Sequence, residues 1–335
     1  MRDILKIAGI YTALILGAGF ASGREILIFF IRFGIKGFLG LILSGFIFSF
    51  IGYIVCDLAN KKKIYASDKF LSFIFQDFYC AAKFIIKIFL FVSYSTMLSA
   101  TGAFFQQQFA FKNIFGILFM AILCFLIYLL GTNFMAKINF FLAPILFFGE
   151  IFVCAYIILF NRSQKVFSMQ NNFLWIKNAI LYSTHNLITA ICVLVPIIKT
   201  LKKKNHAKSG AMLGGFFITA LGIIVGLVIF LNYKFAVKNQ IPLLAITKQI
   251  SCKINLLYTI LFLLSVLTTA TGDFFALCEI FGKQKLICGL IINLCGIIFA
   301  QIKFSDFISI FYPLFGFVGL CEIILLCRIY FCEIK

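Results

Sequence analysis

The sequence predicts an all-α membrane protein. Ten transmembrane helices form two five-helix repeats of opposite orientation, and the first helix of each repeat is broken. Three observations carry that expectation. The 335 residues are 63% hydrophobic and 12% charged, with mean hydropathy +1.10. A soluble domain cannot hide that much apolar surface, because its exterior must stay wet. Apolar runs of roughly 18 to 25 residues recur, each able to cross about 30 Å of hydrocarbon. Features of the first half also return about 170 residues later in the second.

The runs lie at about 4–33, 37–58, 84–111, 114–131, 138–160, 177–200, 209–231, 255–281, 286–302 and 305–330. The first begins after MRDILK, and its apolar pattern resumes beyond FAS in ILIFFIRF. A signal-peptide cut there would split a membrane segment, so the run reads as a retained span. Lys61-Lys62-Lys63, Lys83 and Lys87 flank the second and third spans; Lys199, Lys202, Lys203, Lys204 and Lys208 flank the sixth and seventh. These dense short loops place one face, and both termini, in the cytoplasm. The stretches 63–75 and 241–251 alternate apolar and polar residues, which suits short helices lying at the two interfaces.

The net charge of +19 sits between apolar runs rather than on a basic patch, so it reads as topogenic charge, and no nucleic-acid partner is expected. The 12 cysteines are scattered through apolar runs with no CxxC pair. They read as small buried hydrophobes, not a disulfide framework or metal site.

Spans one to five and six to ten start at near-constant offsets, and Pro144/Pro313 and Glu150/Glu322 fall at the same spacing. Five is odd, so the second copy must enter the membrane upside down. The chain therefore reads as one transmembrane domain, 1–335, with inverted repeats 1–160 and 174–331. Such repeats are a secondary-transporter architecture whose solute lies near the midplane. Unwound backbone serves as a ligand only where it lines a protected cavity. The first helix of each half is therefore expected to be broken. Span one offers Gly17-Ala18-Gly19-Phe20-Ala21-Ser22-Gly23, and span six offers Tyr182-Ser183-Thr184-His185-Asn186. Freed amides there would hold a carboxylate, aided by the positive end of the next half-helix. Close helix packing through small residues is the competing reading of the glycines. His185 either contacts solute or satisfies freed backbone groups. Tyr94, Met97 and Phe20 are candidates for side-chain selectivity.

GAGFASGREI followed by FFIRFG resembles the YkvI-type bacterial membrane proteins, which look like compact LeuT-fold relatives in the amino acid–polyamine–organocation (APC) superfamily. The resemblance covers nearly the whole chain. It implies a LeuT-like fold in the bacterial cytoplasmic membrane and sodium- or proton-coupled transport of an amino acid or similar small carboxylate-bearing solute. It implies no enzymatic activity and no cofactor beyond sodium as a coupling ion. It matches Gly17-Ala18-Gly19 to the break that binds a solute carboxylate, and Tyr182, Ser183, Thr184 and Asn186 to the segment completing that site. It also implies a cation site from the Thr268 and Thr269 hydroxyls with the carbonyls of Ala13, Leu16 and Ser265, an oxygen set suited to a hard cation. A Thr pair that bonds to its own helix carbonyls is the alternative.

Each charge in lipid costs several kcal/mol unless paired or wetted. Arg24 is expected either to pair with Asp306 as an outer gate or to pair locally with Glu25. Glu150 and Glu322 read as proton relays or hydrogen-bonded structural acids, and Asp273 as a residue lining the inner exit path. A channel or a membrane receptor without turnover is the alternative function. The sequence shows no re-entrant filter for the first and no stretch outside the spans long enough for a soluble output domain. An intramembrane protease is disfavoured because HExxH is absent.

Overall fold

The structure is a computed structural model and describes residues 1–160, 173–281 and 285–334. These residues form helices and no strand. The first span is segmented. α1 (Arg2–Ile15) stops at Leu16 and Gly17, where the backbone leaves helical geometry (Gly17 φ −73°, ψ −179°). α2 (Ala18–Ala21) follows, then a turn through Gly23 at φ 76°, a left-handed conformation that glycine adopts without strain. α3 (Arg24–Phe29) and a 3₁₀ turn (Ile31–Phe33) complete it.

The rest of the first half is α4 (Ile35–Lys61), the short α5 (Ser67–Phe75), α6 (Tyr79–Phe109), α7 (Asn113–Leu130) and α8 (Thr132–Phe160). The second half is α9 (Leu174–Ile198), α10 (His206–Leu231), the short α11 (Tyr233–Lys238) and α12 (Pro242–Ile250), then α13 (Cys252–Phe281) and α14 (Lys285–Phe299). It closes with α15 (Phe304–Asp306), a π-helical turn (Phe307–Phe311) and α16 (Tyr312–Ile334). Eight described helical stretches are long and apolar enough to cross a membrane. The other two expected spans correspond to the broken α1–α3 segment and to α14, whose 15 residues reach only about 22 Å. Phe46, Phe148 and Ile298 are 67–73% exposed on the bundle exterior, which suits hydrocarbon better than water.

One correction concerns the sixth span. α9 runs unbroken through Tyr182–Asn186. That stretch holds neither glycine nor proline, and the Ser183 and Asn186 side chains bond within the helix. Ser183 Oγ donates to Ala179 O (2.8 Å), and Asn186 Nδ2 donates to Tyr182 O (2.9 Å). Thr184 Oγ1 donates across to Gly316 O on α16 (2.6 Å).

The lysine-rich segments do meet at one end. Asp57 near the end of α4 accepts from Lys61 (2.8 Å), Lys208 of α10 (3.3 Å) and Tyr330 of α16 (3.0 Å). The Lys203 amide donates to Asp3 (2.9 Å), and Asn60 Nδ2 to Asn205 Oδ1 (2.7 Å). At the opposite end the Leu243 amide of α12 donates to Ser22 O (3.1 Å). The Gln107 side chain exchanges both its bonds with the Ile241 backbone (2.9 and 3.1 Å), and Lys248 donates to the Gln107 carbonyl. Hydrogen bonds and ion pairs thus tether the bundle at both ends. Within the bundle α4 packs on α10, α1 on α10, α9 on α4, α6 on α7 and α13, and α13 on α14.

Candidate functional site

The break in the first span builds the site. A helix start leaves its first amides without intrahelical acceptors. The amides of Gly17, Ala18, Gly19 and Phe20 have no acceptor among the described residues. The carbonyls nearby are largely occupied. Gly17 and Ala18 accept from the Ala21 and Ser22 amides, Gly19 from Ser22 Oγ (2.8 Å), and Ala21 from Tyr258 Oη (2.8 Å).

On the α13 side the break meets the expected cation residues. Ser265 Oγ donates to Leu16 O at 2.8 Å. A Cβ placed on Gly17 would lie 3.4 Å from Thr269 Oγ1, so that hydroxyl faces the break. Thr269 Oγ1 also reaches Ser265 O at 3.3 Å. Thr268 Oγ1 donates to the same carbonyl at 2.8 Å, so both hydroxyls bond within their own helix, Thr268 at the shorter distance. Ala13 sits in the last turn of α1, whose terminal carbonyls lack helical partners. A small cavity joins Leu16, Phe20, Leu261 and Ser265 to Glu150 of α8. Glu150 is 5% exposed, and its Oε1 has no hydrogen-bond partner. A buried carboxylate oxygen without a partner is costly, so its place in a cavity shared with Leu16 and Ser265 invites a cation or a proton.

On the α9 and α16 side, the break meets Glu25. The α3 turn folds this side chain back against Gly19, so a Cβ on Gly19 would overlap the Glu25 carboxylate. Glu25 is 4% exposed; the Tyr182 and Tyr312 phenols face it, while Glu25 Oε2 and Tyr182 Oη lack a well-formed hydrogen bond. His185 stacks on Tyr312 (centroids 4.0 Å apart, planes at 22°), and its Nδ1 has no partner. Phe29 and Phe30 pack against Tyr182 at 5.5 and 5.0 Å, and Phe89 against His185 at 5.3 Å. Tyr312 reaches the centre directly after the π-helical turn.

Several expected placements change. Arg24 pairs with neither expected partner: its Nη1 donates to Asn239 O (3.1 Å) and Val237 O (3.5 Å) in the α11–α12 connection. Asp306 lies within electrostatic reach of Arg24 but outside ion-pair distance, and it accepts from Ser305 Oγ at 3.2 Å. Glu25 turns inward, against Gly19, two residues after the left-handed turn at Gly23. Tyr94 leaves the solute set: its hydroxyl donates to Asn293 Oδ1 (2.9 Å), and Asn293 Nδ2 donates to Ala121 O (3.0 Å), tying α6 to α14 and α7. Ser183 and Thr184 spend their hydroxyls on backbone carbonyls. Asp273 accepts from Ser93 Oγ (2.5 Å) between α13 and α6. Glu322, 3% exposed with Oε1 unpartnered, stands beside Cys192 of α9. Sequence reasoning missed Glu25 and Tyr312 as central residues. The charge beside the glycines was the one available signal.

No family model matches the chain. The chain is similar to the uncharacterized membrane protein YkvI of Bacillus subtilis (strain 168), at 29% identity over 96% of this chain and 95% of that protein. It is also similar to the uncharacterized protein YyaD of the same organism, at 22% identity over 91% and 90%. Among solved structures, the Eremococcus coleocola manganese transporter superposes with TM-score 0.62 at 15% identity, over 96% of this chain and 78% of that one. A Na+-coupled sialic acid symporter in its outward-open state superposes with TM-score 0.57 at 11% identity, over 93% and 75%. The resemblance carried by GAGFASGREI thus extends along the whole chain, and the fold is that of LeuT-type secondary transporters.

Proposed function

We propose that this chain is a secondary active transporter that moves a small charged solute, amino acid-like in size, by alternating access. The observation that carries the reading is the break at Leu16–Gly17. Four unpartnered amides and a carbonyl held by Ser265 lie inside an apolar bundle. Lipid supplies no partner for such groups, so irregular backbone persists at that depth where it serves a ligand. The Glu25 side of the break takes the solute. The Leu16–Ser265–Thr269 side, with Glu150, takes the coupling cation, sodium or a proton. A cation bound there touches both α1 and α13, so its occupancy favours one arrangement of the two and, through it, solute binding.

The packing pattern supports an inverted repeat. α1 on α10 and α9 on α4 exchange under a two-fold relation, as do α6 on α7 and α13 on α14, although α9 packs far more extensively on α16 than α1 does on α8. The unbroken α9 makes the two halves unequal, which puts the irregular backbone of the site in the first repeat. The lysine-rich end is assigned to the cytoplasm of a bacterial cell, with both termini there.

Purified protein reconstituted in proteoliposomes tests the reading. Radiolabelled amino acids and their amines are offered under an imposed sodium gradient, an imposed pH gradient, or neither. Accumulation above equilibrium under one gradient is expected. Passive equilibration under all three conditions would make the chain a channel instead.

A further inference from the structure

We propose that Glu25 holds the positively charged group of the transported solute, from the space beside Gly19 that a solute carboxylate was expected to fill. The inference rests on the transporter reading and names the charge of the group recognised. Four observations lead to it. The Glu25 carboxylate already lies against Gly19, at the start of α2 where the free amides begin. A second carboxylate brought there would meet a like charge at close range in a poorly screened interior.

Glu25 also has no basic partner among the described residues. The neighbouring Arg24 points to the outer loop, and the ion pairs found lie around Asp57 and Asp68. A buried carboxylate with an unpartnered oxygen is expensive, and a bound cationic group offsets that cost. Furthermore, the walls suit an ammonium group. The Tyr182 and Tyr312 phenols face the carboxylate, His185 stacks on Tyr312, and Phe29 and Phe30 close the far side of Tyr182. The carboxylate attracts an organic cation by charge, and a ring beside it adds quadrupole attraction where the cation meets its face. Lastly, no three His, Cys, Asp or Glu side chains converge among the described residues. A divalent metal wants several such donors, so the donor set fits a protonated amine better.

Isothermal titration of the full chain in lipid nanodiscs tests this with three matched probe sets. The first is alanine, leucine and phenylalanine. The second is the amines without the carboxylate: ethylamine, isopentylamine and phenethylamine. The third is the acids without the amine: propionate, isocaproate and hydrocinnamate. At least one amine is expected to bind within about tenfold of its parent amino acid, and its acid about a hundredfold more weakly. Glu25→Gln should weaken that amine by about tenfold or more, while Gly9→Ala, whose added Cβ meets nothing within 4 Å, should leave it unchanged. Should Glu25→Gln fail to fold, Tyr312→Phe replaces it, with a loss of about threefold expected. Acids binding as tightly as amines, or amine affinity unmoved by these variants, would overturn the inference and leave the transporter reading standing. Failure of all three sets to bind would remove both.

Discussion

Gly19→Ala places one methyl group at the centre of the proposed site. On this backbone the new Cβ would coincide with Glu25 Oε1, and Cδ and Cγ also lie too near, so swinging the end of the side chain cannot clear it. The carboxylate must leave the space between the break and the two tyrosines. Alanine in α2 gains up to about 1 kcal/mol over glycine in helix propensity. Overpacking a buried site costs about 1–3 kcal/mol. The net change in stability therefore runs from about zero to about 3 kcal/mol of loss. Solute binding should suffer more, since a hydrogen bond to a charged group contributes about 1.5–3 kcal/mol, or roughly a 10- to 100-fold change in affinity. Gly9→Ala is the control, because a Cβ there meets nothing within 4 Å. Thermal melts and solute titrations on both variants read the outcome. Gly19→Ala that binds solute like Gly9→Ala would refute the placement of the site.

Two further outcomes concern the coupling side. Thr269→Ala removes a hydroxyl that faces Gly17 and bonds Ser265 O at 3.3 Å, whereas Thr268→Ala removes one bonded to that carbonyl at 2.8 Å. Losing one oxygen ligand at about 1 kcal/mol should raise the sodium concentration for half-maximal uptake about fivefold in Thr269→Ala alone. Equal effects in both variants, or uptake indifferent to sodium, would make the pair structural. Glu150→Gln keeps the shape of the cavity wall and removes its charge. It should abolish gradient-driven accumulation and leave solute exchange between loaded vesicles intact; undiminished accumulation would remove Glu150 from coupling.

Much of the fold was legible because lipid imposes simple rules. Apolar run lengths located the crossing segments, and the ends of α4, α7, α8 and α10 fall within a few residues of the expected spans or slightly beyond. The break at Gly17 was legible because glycines interrupt an otherwise apolar helix. The polar run Tyr182–Asn186 misled for a physical reason. Hydroxyls and amides free to bond i−4 carbonyls mark a continuous helix as readily as an open one. The π-helical turn before Tyr312 left no mark in FISIF, which carries neither glycine nor proline to signal an irregular turn. The direction of Glu25 depends on the left-handed turn at Gly23. That turn was visible as a glycine, but its effect on the next two side chains required the three-dimensional path.

Alternating access is the central claim, and two distances measured together test it most directly. Nitroxide pairs at Lys63 and Lys202 report the lysine-rich end held by Asp57; pairs at Lys112 and Lys238 report the end closed by α11 and α12. Pulsed electron resonance in nanodiscs, with and without sodium and the bound amine, should show one distance lengthening while the other shortens, the two never long together. Distances that stay fixed under every condition, or that lengthen together, would contradict the account.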